Sequence, residues 1–195
     1  NIQNVMIDEF QDTSRMQWDN FKLLLLEGLS QGADSLIVGD VKQSIYRWRS
    51  GDWNILNGLK KSLGVFPIQE KTLKANRRSE ANIVQFNNEI FTSACQILND
   101  IHRQEQGEEC EDLKDAYKDV CQEICREAGK GSVKITFLTE KKDINYQEDT
   151  LENLVKEVKY MINQGVQIND MAILVRKNYL IPLIASYFDK HTPYR

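Results

Sequence analysis

Residues 5–12 read Val-Met-Ile-Asp-Glu-Phe-Gln-Asp (VMIDEFQD), and the fold turns on them. A short apolar run, within residues 3–7 (QNVMI), predicts a buried strand that stops at the paired carboxylates Asp8-Glu9. The next stretch, 16–29 (MQWDNFKLLLLEGL), predicts a helix. Trp18, Phe21, Leu24, Leu25 and Leu29 fall near helical spacing there, and Thr13-Ser14 supply an N-terminal cap. A second buried strand follows in DSLIVGD, at Leu36 to Val38, and it too ends in an acid, at Gly39-Asp40. Short apolar strands separated by a helix predict a parallel α/β sheet. Ligands of such sheets lie at the carboxyl ends of the strands, where both acids stand. A strand-end acid suits the water shell of Mg²⁺, and a neighbouring acid suits the activation of an attacking water. On its own the dipeptide is equally a strand finished by surface acids.

The bulk properties narrow the class. The 195 residues are 41% hydrophobic and 28% charged, with a formal net charge of −4. That is the balance of a soluble globular protein of one or two domains, without a global basic signature for nucleic acid. The longest purely apolar run, Leu23 to Leu26, is far short of the roughly 20 residues of a membrane span. Cys95, Cys110, Cys121 and Cys125 form no Cys-x-x-Cys pair and read as free thiols of a reducing cytoplasm, with a zinc or cluster site as the alternative. The chain begins at Asn1 directly before a core strand, which reads as a fragment boundary.

Further along, residues 79–98 predict a helix with Ile83, Val84, Ile90, Phe91, Ala94, Ile97 and Leu98 on one face, and 99–112 an acidic loop. Residues 113–128 predict another helix, and GSVKITFLT a strand that alternates Val133, Ile135 and Phe137. Residues 149–163 predict an amphipathic helix, DMAILVR a fully buried strand, and 180–189 a last helix. From residue 73 onward the pattern makes a second α/β unit.

Two more stretches carry chemistry. In VKQSIYRWRSGDW, Gln43 follows a strand end and reaches a phosphate without adding charge. Tyr46, Trp48 and Trp53 interleave there with Lys42, Arg47 and Arg49. Aromatic faces stack on bases and cations meet phosphates, as single-stranded nucleic acid requires; the same aromatics also suit a core. In LKANRRSEAN, Arg77-Arg78 stand at a helix entrance, where an anion would be favoured. The plainer alternative is a solvated pair with Ser79 capping the helix.

Taken together, IDEFQDTS, VGDVKQSIYRWRSGD and LKANRRS resemble three successive signatures of the UvrD/Rep-type superfamily-one DNA helicases, in the family's order. DEFQDTS with KQSIYRWR is closest to the RecB/AddA-like helicase-nuclease branch, and INDMAILVRKN with a following Pro-Tyr is similar to a later family segment. The resemblance implies an α/β fold holding parts of two RecA-like P-loop NTPase domains, with parallel sheets flanked by helices. Residues 1–72 would be the C-terminal part of the first domain, and 73–195 the N-terminal part of the second. It implies an ATP-dependent translocase on single-stranded DNA that unwinds duplex, in repair or recombination, with ATP and Mg²⁺ as cofactors. A nuclease domain or subunit would accompany the parent protein, in the cytoplasm and away from membranes.

The same resemblance implies residue roles. Asp8 would serve Mg²⁺ and Glu9 the attacking water. Gln43 would sense the γ-phosphate and link it to the DNA site. Tyr46, Trp48 and Arg49 would lie on the single strand, Trp48 by stacking. Arg78 would be the arginine finger, stabilising the charge that develops in phosphoryl transfer. Arg77 stands where the family usually has an adenine-stacking aromatic, and a guanidinium plane also stacks on a base. Ser50-Gly51-Asp52 replaces the more frequent Gly-Ala-Asp, a local loop change.

Such a site needs a phosphate loop of the form Gly-x-x-x-x-Gly-Lys-Ser/Thr, and the sequence holds none. The nearest stretch, ICREAGKGS, has Ile124 in place of the first glycine and Gly131 after Lys130, and it precedes a predicted strand. In the family the loop lies upstream of the Asp-Glu strand, so the chain reads as a middle slice, inactive by itself. The rivals are a non-catalytic helicase-like interaction module and an unrelated Mg²⁺ hydrolase built on Asp8, Glu9 and Asp40.

Overall fold

The computed structural model describes residues 3–44, 51–52, 54–138 and 146–193. They are mixed α/β: small parallel sheets flanked by helices. The chain forms two compact units, Asn1–Val133 and Lys134–Arg195.

The first unit opens with β1 (Val5–Ile7), a 3₁₀ turn at Phe10–Asp12, α1 (Arg15–Ser30) and β2 (Ser35–Ile37). β1 and β2 pair in parallel with Val5 opposite Ser35 and Ile7 opposite Ile37, the crossover pattern that the sequence predicts. Helix α1 begins where a capping box forms: the Ser14 Oγ accepts the Gln17 N–H, while the Gln17 Oε1 accepts the Ser14 N–H at 2.9 Å. Of the predicted apolar face, Trp18 and Leu25 are buried, whereas Phe21 and Leu24 are exposed. The strands are half-covered, not buried as expected: Val5, Ile7 and Ile37 pack on the core, while Met6 (79% exposed) and Leu36 look the other way. Alternation in a strand sends neighbours to opposite faces, and only one face is packed among the described residues.

The core gathers Phe10, Trp18, Leu25, Ile55 and Leu63, the last two from α2 (Asn54–Asn57) and the turn that ends α3 (Leu59–Ser62). Phe10 and Trp18 meet edge to face, 5.1 Å between centroids at 82°. Each such side chain contributes roughly 1.5–3 kcal/mol by leaving water.

The rest of this unit departs from the sequence expectation. β3 (Ala75–Asn76) leads to α4 (Ala81–Gln106), which continues through the polar residues expected to be a loop and stops only at Gly107, φ 79°. α5 is short, Glu111–Tyr117, and the predicted helix beyond it is replaced by β4 (Glu123–Ile124), parallel to β3. The cause is a set of bonds from distant residues to Gln122 and Glu123. The Gln122 N–H bonds the Asn88 Oδ1 while the Asn88 Nδ2 bonds the Gln122 carbonyl, and the Glu123 N–H bonds the Lys74 carbonyl at 2.8 Å. Ser79 does not cap α4; the N-cap position is Glu80, which makes no side-chain capping bond.

The second unit holds α6 (Tyr146–Asn163), with Leu151 and Val155 buried, a 3₁₀ turn at Ile168–Asp170 and α7 (Leu180–His191). The strands predicted at 133–137 and in DMAILVR are not formed. Phe137 is 88% and Leu174 94% exposed, because neither run has a partner strand among the described residues to complete its backbone bonds.

Candidate functional site at the carboxyl ends of the parallel strands

The β1–β2 ladder continues past the strands. The Val38 N–H bonds the Ile7 carbonyl at 2.8 Å, and the Phe10 N–H bonds the Val38 carbonyl at 3.0 Å. Asp8-Glu9 and Gly39-Asp40 are therefore neighbours at one end of the sheet. The Asp8 Oδ1 accepts the Glu9 N–H at 2.8 Å, and the exposed Oδ2 accepts no bond among the described residues. Glu9 has φ 50° and ψ 40°, the one non-glycine residue in the left-handed region among those described. That conformation starts the 3₁₀ turn and lifts the Glu9 side chain out of the strand direction.

Gln11 holds the two strand ends together. It is 1% exposed, and its amide is used on both sides. The Nε2 donates to the Glu9 Oε2 at 2.6 Å, and the Oε1 accepts the Asp40 N–H at 3.0 Å. Its carbonyl accepts the Ser44 hydroxyl at 3.3 Å. Gly39 leaves room for this approach: a Cβ there would lie tightly, 3.0 Å from the Gln11 Oε1 and 3.2 Å from the Leu56 Cδ2.

Asp40 organises the next turn, Val41–Gln43. Its Oδ1 accepts the Lys42 N–H at 3.0 Å and pairs with the Lys42 Nζ at 2.9 Å, while its Oδ2 accepts the Gln43 Nε2 at 3.2 Å. Burial opposes the charge on Asp40, but the side-chain and backbone bonds from Lys42 and the bond from Gln43 outweigh it and hold the carboxyl below its usual range. Burial likewise pulls the Lys42 ammonium down, and Asp40 and Asp119 together raise it above its ordinary value. Gln43 itself is exposed. Asp8, Glu9 and Gln43 thus belong to one hydrogen-bonded assembly through Gln11 and Asp40.

Tyr46, Trp48 and Arg49, with Arg47 and Trp53, lie outside the described residues. Both flanks of that stretch are fastened to the site: Ser44 to Gln11, and Asp52 by its N–H to the Thr13 carbonyl at 3.2 Å, beside the Ser14–Gly51 bridge.

Arg77 and Arg78 are exposed and lie in the turn before α4, short of its first residue. The Asn76 Oδ1 accepts the N–H groups of Arg78 at 3.0 Å and Ser79 at 2.8 Å, so those donors serve the turn and not an anion. Among the described residues neither guanidinium touches Asp8, Glu9 or Gln43 through a hydrogen bond or ion pair.

Two connecting residues, Gln11 and Asp119, are not among those that the sequence singles out. Gln11 has a visible signal, a neutral polar residue two positions after a carboxylate pair. Asp119 has none, since it meets Lys42 across 77 residues.

Asp8 would fit the water shell of a Mg²⁺ ion as a single carboxylate. Mg²⁺ keeps most of its waters and takes one or two carboxylates besides phosphate oxygens, and Asp8 presents one free strand-end oxygen. No group of three or more His, Cys, Asp or Glu side chains is placed to hold a metal among the described residues, and the four cysteines are free. No helix among the described residues is long and apolar enough to cross a membrane.

Residues 1–64 match the UvrD/REP helicase N-terminal domain. A probable DNA helicase II homolog of Mycoplasma genitalium is 30% identical over 183 residues, covering 91% of this chain and 22% of that protein. An ATP-dependent helicase/nuclease subunit of Lactococcus lactis is 30% identical over 94% of this chain and 16% of its own length. Its namesake from Streptococcus agalactiae is 41% identical over 90 residues, which are 45% of this chain and 7% of that protein. The chain thus spans about a fifth or less of the curated relatives it matches. Through residues 1–64 the chain is similar to the UvrD/REP helicase N-terminal domain, and along most of its length it is similar to these DNA helicases.

Proposed function

We propose that these residues are a segment of an ATP-driven translocase on single-stranded DNA, which unwinds duplex in DNA repair or recombination in the cytoplasm. The observation that carries the reading is the joining of two acidic strand ends of a parallel pair through one buried amide, Gln11, within a helicase-related sequence. Residues 1–72 contribute the C-terminal part of a first RecA-like domain and residues 73–195 the N-terminal part of a second. The names of the helicase/nuclease relatives support a partnership with a nuclease domain or subunit.

In this reading Asp8 holds Mg²⁺ and Glu9, oriented by Gln11, accepts a proton from the attacking water. Gln43 faces the γ-phosphate, Arg78 approaches it from the second domain, and Arg77 stacks on the base. Tyr46, Trp48 and Arg49 lie along the DNA strand. Bound Mg²⁺-ATP supplies the phosphoryl group whose transfer drives stepping. The phosphate cradle comes from outside these residues, since no Gly-x-x-x-x-Gly-Lys-Ser/Thr occurs among them, and the isolated chain is therefore idle as an ATPase.

The test uses the full-length protein. Glu9→Gln should abolish hydrolysis, by roughly 10²–10⁴-fold for a lost general base, while ATP still binds. Trp48→Ala should weaken binding of an oligothymidylate by the equivalent of roughly 1–3 kcal/mol at matched salt. Retained turnover in Glu9→Gln, or steady ATPase activity from the purified 195-residue chain, refutes the assignment. A full-length protein that lacks the phosphate loop, and turns over no ATP, leaves the interaction module in its place.

A further inference from the structure

Lys42 has a second partner besides Asp40. Its Nζ meets the Asp119 Oδ1 at 3.0 Å, with the side chains only 22% and 36% exposed. Among the described residues no other hydrogen bond or ion pair joins residues 3–72 to residues 73–133. An ammonium carries three donors and no acceptor, so one lysine satisfies two carboxylates at once.

Asp119 is not on a free loop. It follows α5, whose Tyr117 ring lies against Phe91 of α4, 6.4 Å between centroids. Three residues later Gln122 is gripped by the reciprocal pair of bonds with Asn88 of α4. The same Gln122 accepts the Asn76 Nδ2 at 2.7 Å, and Asn76 in turn holds the N–H of Arg78. Polar contacts therefore run from the Gln43 amide through Asp40 and Lys42 to Asp119, and the backbone from Asp119 to Gln122 leads on to the contacts that secure the Arg78 N–H.

We propose that the Lys42–Asp119 ion pair is a positioning contact that joins the Gln43 amide to the turn carrying Arg78, so that the two groups take up their places together. This rests on the nucleotide-facing roles given to Gln43 and Arg78 above. Asp119 touches neither nucleotide nor reacting atoms and acts only through Lys42. The partial burial of Lys42 and its raised proton affinity agree with a pair that persists in solution.

The experiment is a double-mutant cycle on the full-length protein, reading ATPase turnover with saturating oligothymidylate for wild type, Asp119→Asn, Gln43→Ala and the double variant. Asp119→Asn should lower kcat about tenfold, within the range for directly coupled groups, and should add nothing further in the Gln43→Ala background. Asp119→Glu should restore most of the loss, and KM for ATP should move less than kcat. Circular-dichroism melts accompany each variant, and if Asp119→Asn does not fold, Asp119→Ser takes its place in the cycle. A full effect of Asp119→Asn in the Gln43→Ala background, or none in wild type, overturns the coupling and leaves the proposed function standing. An unchanged kcat in Gln43→Ala alone removes the nucleotide role of Gln43, and the coupling with it.

Discussion

Replacing Gln11 by methionine isolates the bonds that join the two strand ends. The two side chains have similar length and volume, so the substitution removes hydrogen bonding without opening a large cavity. Gln11 loses two side-chain bonds, to the Glu9 Oε2 and the Asp40 N–H. Glu9 is exposed, and its carboxylate returns to water, so that bond counts only at the modest net value of roughly 0.5–1.5 kcal/mol. The Asp40 N–H is partly buried and is left facing a thioether, which costs about 1–3 kcal/mol. Together the loss should be about 2–4 kcal/mol. Urea unfolding of the chain, followed by circular dichroism, should show the midpoint falling by roughly 1–2 M, for a slope near 2 kcal/mol/M. A midpoint unchanged within about 0.3 M would mean that packing around Gln11, and not its amide, joins the strand ends.

Other outcomes follow from the same geometry. Gly28→Ala should destabilise the chain by roughly 1–3 kcal/mol, since a Cβ there would sit 2.4 Å from the Gln3 carbonyl oxygen; an unchanged urea midpoint would contradict that clash. Removing the capping box with Ser14→Ala should cost about 1 kcal/mol, read as a lower midpoint with unchanged slope. Asp40 has its folded pKa below its unfolded value of about 3.9, so its contribution is full above that value and is lost as pH falls through the folded pKa. Lys42 has its folded pKa above its unfolded value of about 10.4, so its contribution is full below that value and is lost as pH rises through the folded pKa. The stability gap between wild type and Asp40→Asn should therefore be flat near neutrality and narrow below about pH 4; a gap that widens in acid would reverse the sign.

The local parts of the architecture are readable because their causes are local. A strand, a capped helix and a second strand announce themselves between residues 5 and 38 through apolar runs and the cap at Thr13-Ser14, and the acids at both strand ends mark the candidate site. The features that escape such a reading depend on partners far away in sequence. The alternation around Ile135 and the apolar run at Ile173 imply strands, but a strand forms only where another completes its backbone bonds. Residues 118–124 carry a helical pattern, yet Asn88 and Lys74 draw them into a turn and a β-ladder. Helix α4 outruns its apolar stripe because polar residues propagate a helix readily, and only a glycine able to take positive φ stops it. The carboxylates of the site are visible in the sequence, whereas the groups that hold them in place, Gln11 and Asp119, are defined by what they touch.

The left-handed backbone at Glu9 also bears on how this segment would respond to selection. A side chain in that region is strained by about 1 kcal/mol or more, and glycine or asparagine would relieve it. A library of variants at position 9 chosen only for solubility or heat resistance should drift toward those two residues. In the full-length protein, one chosen for ATP turnover should return to glutamate in spite of the looser fold, if Glu9 has the role proposed for it. The contrast between the two enrichments would read out how far stability has been yielded at this position to keep a carboxylate.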